Sequence, residues 1–99
     1  MTAYLLVRAE VEKNSREEFD KWYQLEHLPS ALKEFEDSTG AWRAWSDVED
    51  GIHLAFYEFA SLEKAHKLLR SDLMEDFIKE FDRNWSGKVK RTRDVFEVK

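Results

Sequence analysis

The clearest strand of the sequence is the run 52–59, Ile52-His53-Leu54-Ala55-Phe56-Tyr57-Glu58-Phe59. It follows Asp50-Gly51, a turn pair typical of β-hairpins, and residues 41–46 before the turn are predicted to form its partner strand. Apolar residues occupy both alternating sets of positions in the run, so neither face of the strand is polar. The stretch therefore predicts a hairpin within a sheet whose two faces are both apolar.

The chain before the hairpin predicts a strand and then a helix. Residues 3–11 combine apolar and β-prone side chains with charges at alternate positions, which indicates a strand. Asn14 or Ser15 is then positioned to cap a helix. Pro29 lacks a backbone amide and disfavours helical geometry in the residue before it, so we expect this helix to kink near His27.

The chain after the hairpin predicts a second helical region and a last strand. Ser61 is the expected cap of a first helix, and Asp72 with Glu75 resembles a capping box that opens another. Residues 88–98 alternate again and indicate a strand.

The resulting order, β-α-β-β-α-β, predicts an α+β ferredoxin-like fold in one domain over residues 1–99. In this fold two right-handed crossovers place the helices on one face of a four-stranded antiparallel sheet. The other face is left uncovered although it is apolar. We therefore expect a homodimer in which a second copy packs against that face.

Composition excludes several function classes. The net charge of −5 argues against nucleic acid as a partner. The run Lys88–Arg93 is the basic exception; we expect a solvated strand edge, with an anion site for a weakly anionic ligand as the alternative. The absence of cysteine excludes disulfides and thiolate chemistry. The first residues resemble neither a signal peptide nor a membrane span, which favours a cytoplasmic location with no membrane contact.

Two short stretches on the first helix complete a family pattern: Phe19-Asp20-Lys21-Trp22-Tyr23 and Glu26-His27-Leu28-Pro29. Together with the order of elements, they make the chain resemble the EthD-like members of the dimeric α+β barrel superfamily. The most specific part is a Trp followed by His-x-Pro late in the helix. The resemblance implies a homodimer with a shared barrel and a pocket between sheet and helices in each subunit.

The same resemblance leaves the activity open. The superfamily contains cofactor-independent oxygenases, polyketide cyclases, lactone isomerases, haem-binding proteins and members without known activity, so the fold constrains function weakly. We expect a cofactor-independent enzyme, or a binder, of a small apolar carbonyl or aromatic compound. The alternative is a non-catalytic homodimeric accessory or stress-related binding protein.

His27 is the first catalytic candidate, because imidazole titrates near neutrality and can exchange a proton with a carbonyl substrate. A purely structural role at the bend of the helix is the alternative. Glu26 is its neighbour and a ligand-binding candidate, although adjacent helical residues diverge by about 100° and a solvated ion pair explains Glu26 as well.

Aromatic residues and one arginine supply the other candidates. Trp22, Trp42 and Trp45 are candidates to line a slot for a flat apolar ligand, and Tyr23 adds a hydroxyl for catalysis. Ordinary core and dimer packing is the alternative. Arg43 lies between apolar neighbours and is a candidate to stabilise a carboxylate or enolate, or to form a salt bridge between subunits.

Metal and cofactor sites are not expected. His53 is a ligand-binding candidate, but the three histidines do not have the spacing of a metal site. Some superfamily members hold haem through a histidine of the second helix, which makes His66 the formal haem candidate; a surface histidine is the simpler interpretation. Phosphate loops and nucleophile elbows are also absent from the sequence.

Overall fold

Four strands form one antiparallel sheet in the computed structural model, which describes residues 1–99. They are β1 (Ala3–Val11), β2 (Ser38–Trp45), β3 (Ile52–Phe59) and β4 (Val89–Glu97). Their order across the sheet is β2-β3-β1-β4, and every neighbouring pair is antiparallel. The predicted ferredoxin-like fold is confirmed.

The helices pack together on one face of this sheet. They are α1 (Arg16–Trp22), α2 (Leu28–Glu34), α3 (Leu62–Leu69) and α4 (Asp72–Trp85). A short 3₁₀ turn, Lys13–Ser15, precedes α1. The core lies between this helical layer and the sheet, where buried aromatic and aliphatic side chains of both layers form one cluster. No helix is long and apolar enough to cross a membrane.

A π-helical turn, Tyr23–His27, joins α1 to α2 at the place where the sequence predicts a kink. The helix continues through it, and the Leu28 amide donates to the Tyr23 carbonyl five residues earlier. This wider turn changes which residues face the sheet. In an α-helix, residues four apart are about 40° out of line, because four residues advance by about 40° more than one full turn. The π turn offsets that drift and keeps one buried row at a spacing of four residues: Phe19, Tyr23, His27, Ala31 and Phe35.

Three leucines of the same helical region, Leu25, Leu28 and Leu32, form a second apolar stripe at three- and four-residue spacing, but only Leu28 packs against the core. Leu25 and Leu32 are 72% and 48% exposed. They lie outside the core because the row of four-residue spacing occupies the side of the helix that faces the sheet.

The two sheet faces differ in what covers them. On β1, Leu5 and Val7 are buried beneath the helices, whereas Leu6 lies on the opposite, open face. On the same open face, Trp42 of β2 pairs with Phe56 of β3, and Trp42 is 52% exposed. The open face is therefore partly apolar.

Three local predictions need correction. Ser15 precedes α1 but makes no capping bond, since its hydroxyl donates to the Glu12 carboxylate at 3.0 Å instead. The cap of α4 is Ser71, whose side chain accepts from the Met74 amide, and not Asp72. Strand β2 begins at Ser38, three residues early, because an irregularity between Ser38 and Gly40 lets both pair with β3.

Candidate functional site

A cavity lies between the helices and the helix-covered face of the sheet. Twelve side chains line it, of which nine are hydrophobic. Its empty space is about 360 Å³, counting the part open to solvent, and only a small part of this space is wide enough for a water molecule. The cavity is therefore apolar and narrow, and a ligand larger than a few atoms requires its lining side chains to move. The polar lining residues are His27, Arg91 and Arg93, with the hydroxyls of Tyr23 and Tyr57.

The two tyrosines form a buried hydroxyl pair. Tyr23 reaches the sheet from the π turn, and its oxygen lies 2.7 Å from that of Tyr57 on β3. Burial raises the pKa of Tyr23 to about 12 and that of Tyr57 well above its usual range, so both are protonated at neutral pH. Because each hydroxyl carries one proton, one of them donates within the pair and the other keeps a proton to offer a ligand.

His27 occupies the last position of the π turn and lines the cavity. Its ring stacks on Trp22, with centroids 4.6 Å apart, and contacts Tyr23 and Phe77. The side chain is 9% exposed, and burial, with a smaller contribution from Arg91, lowers its pKa to about 4. The imidazole is consequently neutral at pH 7, with a lone pair able to accept a proton.

Arg43 belongs to a second polar cluster, separate from the lining of the cavity. Its guanidinium donates to Asp20 at 2.7 Å and to Gln24 at 2.8 Å. The indole of Trp45 donates to the same Asp20 oxygen at 2.7 Å. The hydrogen bonds from Arg43 and Trp45 lower the pKa of Asp20. Arg43 therefore holds α1 against β2 through a salt bridge within the subunit.

His53 lies between this cluster and the cavity. It is 0% exposed, and its ring packs 4.6 Å from that of Tyr23 and 5.0 Å from that of Trp45. Burial lowers its pKa to about 4. Its Nε2 lies 3.3 Å from Arg43 Nη1 and must accept, because a guanidinium has no acceptor atom. The proton of the neutral ring is then on Nδ1, which is buried without a hydrogen-bond partner in the protein.

The remaining predicted residues lie away from the cavity lining. Trp22 packs behind His27 against Phe81. Glu26 is exposed on the outer side of the helix, and Trp42 is on the open sheet face. Of the predicted set, the structure thus brings Tyr23 and His27 to the cavity with Trp22 behind them, and Arg43, Trp45 and His53 to the neighbouring cluster.

Three of the polar cavity residues were not predicted from the sequence: Tyr57, Arg91 and Arg93. The two arginines belong to the basic run for which we expect a solvated strand edge. The sequence nevertheless indicates the face on which they lie. They share the alternating positions of Val89 and Val95, the apolar members of β4, so they lie on the helix-covered face with them.

Groups that could hold a metal are absent: no three His, Asp or Glu side chains converge. His66, the formal haem candidate, is exposed on α3.

Comparison with solved structures identifies the fold. An ethyl tert-butyl ether D (EthD) family protein from Bacillus halodurans aligns with a TM-score of 0.74 at 14% identity, over 100% of both chains. The fold is that of an EthD family protein. At the level of the fold, this confirms the resemblance drawn from the sequence. No family model and no curated protein matches the sequence itself.

Two further structures show how widely the fold is shared. SnoaB, a cofactor-independent oxygenase from Streptomyces nogalater, aligns with a TM-score of 0.71 at 8% identity, over 99% of this chain and 93% of that one. A conserved protein from Methanosarcina mazei aligns at 0.70 and 11% identity, over 100% and 94%. At these identities the likeness concerns the fold alone.

Proposed function

We propose that the protein is a cofactor-independent enzyme for a small apolar carbonyl or aromatic compound, which binds in the cavity between helices and sheet. The observation that carries the proposal is the convergence of His27 and the Tyr23–Tyr57 hydroxyl pair on one apolar cavity. Buried apolar walls with a few polar groups are the usual composition of a small-molecule site. That SnoaB, with the same fold, is a cofactor-independent oxygenase is compatible with this chemistry.

The proposed chemistry is removal of a proton from the carbon next to a carbonyl group, or from the hydroxyl of a phenol. Neutral His27 accepts the proton, and the free hydroxyl proton of the tyrosine pair hydrogen-bonds the developing oxyanion. Arg43 does not reach the cavity, so its proposed role is positioning: it ties α1 to β2 beside His53 and thereby fixes Tyr23.

A matched test is exchange of the α-hydrogens of 1-tetralone in D₂O, followed by NMR. The wild-type protein should accelerate exchange above buffer with saturation, and His27→Phe, which keeps an aromatic ring, should reduce the acceleration by about 10²-fold or more. His66→Gln, on the surface of α3, is the control and should retain full activity. Equal exchange by wild type and His27→Phe would remove His27 from the mechanism.

The second candidate function is binding without catalysis. The low pKa of His27, which burial brings to about 4, favours it, because so weak a base is a poor proton acceptor at neutral pH. Saturable binding of 1-tetralone with no exchange would support this second function. Absence of both binding and exchange would contradict the proposal.

We also propose that two copies associate through the open sheet face. The face carries Trp42 and Phe96, which are 52% and 37% exposed, beside the partly exposed Leu54 and Phe56. Exposed apolar patches of this kind are typical of interaction sites.

A further inference from the structure

The polar end of the cavity is formed by two arginines of the edge strand β4. Arg93 pairs with Val7 and Arg91 with Ala9, both of which are buried on the helix-covered side of β1. Since directly paired residues of antiparallel strands project to the same side, both guanidinium groups lie on the cavity side. Lys90 and Thr92, at the intervening positions, lie on the opposite face.

The two arginines differ in how their charges are compensated. Arg91 forms a salt bridge with Asp82 at 3.0 Å, its guanidinium lies 3.9 Å from the centre of the Phe81 ring, and its side chain is 10% exposed. None of the salt bridges or side-chain hydrogen bonds of the chain engages Arg93. Asp82 thus compensates the charge of Arg91 but not that of Arg93, and the cavity carries a surplus positive charge.

The surplus charge lies at a partly open site, because Arg93 is itself an exposed residue. Burial and repulsion from Arg91 both lower the pKa of Arg93, which means that its surroundings disfavour its charge. Arg93 is nevertheless one of the side chains that line the otherwise apolar cavity. Binding an anion would offset the repulsion, and a planar guanidinium is suited to a carboxylate.

We propose that Arg93, with Arg91 held beside it by Asp82, binds the carboxylate of a planar apolar ligand whose ring enters the cavity toward Tyr23, Tyr57 and His27. The inference rests on the proposed small-molecule function and specifies its substrate class as an apolar carboxylic acid. The negative charge at one end then selects the ligand and orients its other end toward the tyrosine hydroxyls.

The test compares 2-naphthoate with 2-naphthamide, which have the same ring and differ in charge. Isothermal titration of the wild-type protein should give about tenfold or greater preference for the carboxylate, because a hydrogen bond to a charged group is the stronger one. Arg93→Gln should abolish the preference by weakening 2-naphthoate alone, and Arg93→Lys should lose part of it. Lys90→Gln, on the other face of the same strand, is the matched control and should leave both affinities unchanged.

A salt titration checks the same point without a substitution. Raising the NaCl concentration from 50 to 300 mM should weaken 2-naphthoate and leave 2-naphthamide unaffected, because salt screens partly exposed charges. Equal affinity for the two compounds, or unchanged 2-naphthoate binding in Arg93→Gln, would overturn the inference and leave the proposed function standing. Binding of neither compound would contradict both.

Discussion

Two single residues, His27 and His53, make the stability of the protein depend on pH. Burial lowers both pKa values from 6.5 to about 4, so the folded protein holds the two rings neutral where the unfolded chain binds protons. The part of the unfolding free energy that depends on the rings being neutral has its full value above pH 6.5 and is lost as the pH falls toward 4. The loss is up to about 3 kcal/mol for each histidine.

The first prediction follows from this linkage. Wild-type unfolding free energy should fall steeply between pH 6.5 and 4, and His27→Phe should be less steep, because one of the two buried titrating rings is gone. Urea unfolding at several pH values measures the slope, with exposed His66→Gln as the control that should match wild type. A slope for His27→Phe equal to that of wild type would show that His27 is not buried as described.

The tyrosine pair gives the second prediction. Tyr23→Phe or Tyr57→Phe leaves a buried hydroxyl without its partner and should destabilise the fold by about 1–3 kcal/mol. The double variant should cost less than the sum of the two, because neither position then carries an unpaired group. Urea unfolding of all four proteins provides the double-mutant cycle. Strict additivity would argue against the hydroxyl hydrogen bond.

Among the elements, the helix with the π turn has the most specific packing: Ala31 is buried and Leu32 is exposed. Ala31→Leu should therefore destabilise the protein by about 1–3 kcal/mol through overpacking against the sheet. The matched change Leu32→Ala should alter stability by no more than about 0.5 kcal/mol. Thermal and urea unfolding measure both. The reverse order of effects would mean that Leu32 faces the sheet in place of the row that contains Ala31 and His27.

The elements also show what the sequence can and cannot predict. The strands followed from alternation and the Asp50-Gly51 turn, both of which are local signals. Local signals did not decide which sheet face meets the helices, since residues of both faces are apolar. For that reason Trp42 and Trp45 seemed equivalent in sequence, although they lie on opposite faces of β2.

The candidate site was harder to predict than the fold. Tyr23 and His27 were identified because they belong to the first-helix pattern. Arg91 and Arg93 were not, because a basic run on an edge strand usually indicates solvated charge, although they share the alternating positions of Val89 and Val95 on the helix-covered side of β4. Tyr57 was not singled out because its role depends on a hydroxyl 34 residues away in sequence.

At the scale of the whole molecule, the open sheet face leads to a prediction about assembly. The wild-type protein should be a dimer by light scattering at micromolar concentration, and Trp42→Lys should shift it to monomer because a charge then lies in the apolar interface. Leu25→Lys, at a 72% exposed helix position, is the control and should remain dimeric. A monomeric wild-type protein would contradict the proposed use of this face.

Amide chemical-shift mapping of the ¹⁵N-labelled protein with 2-naphthoate shows whether the cavity is the ligand site. We expect the shifts to concentrate at His27, Tyr57 and Arg93, which lie on different elements but line one cavity. Shifts confined to Trp42 and the open sheet face, or no shifts at all, would contradict it.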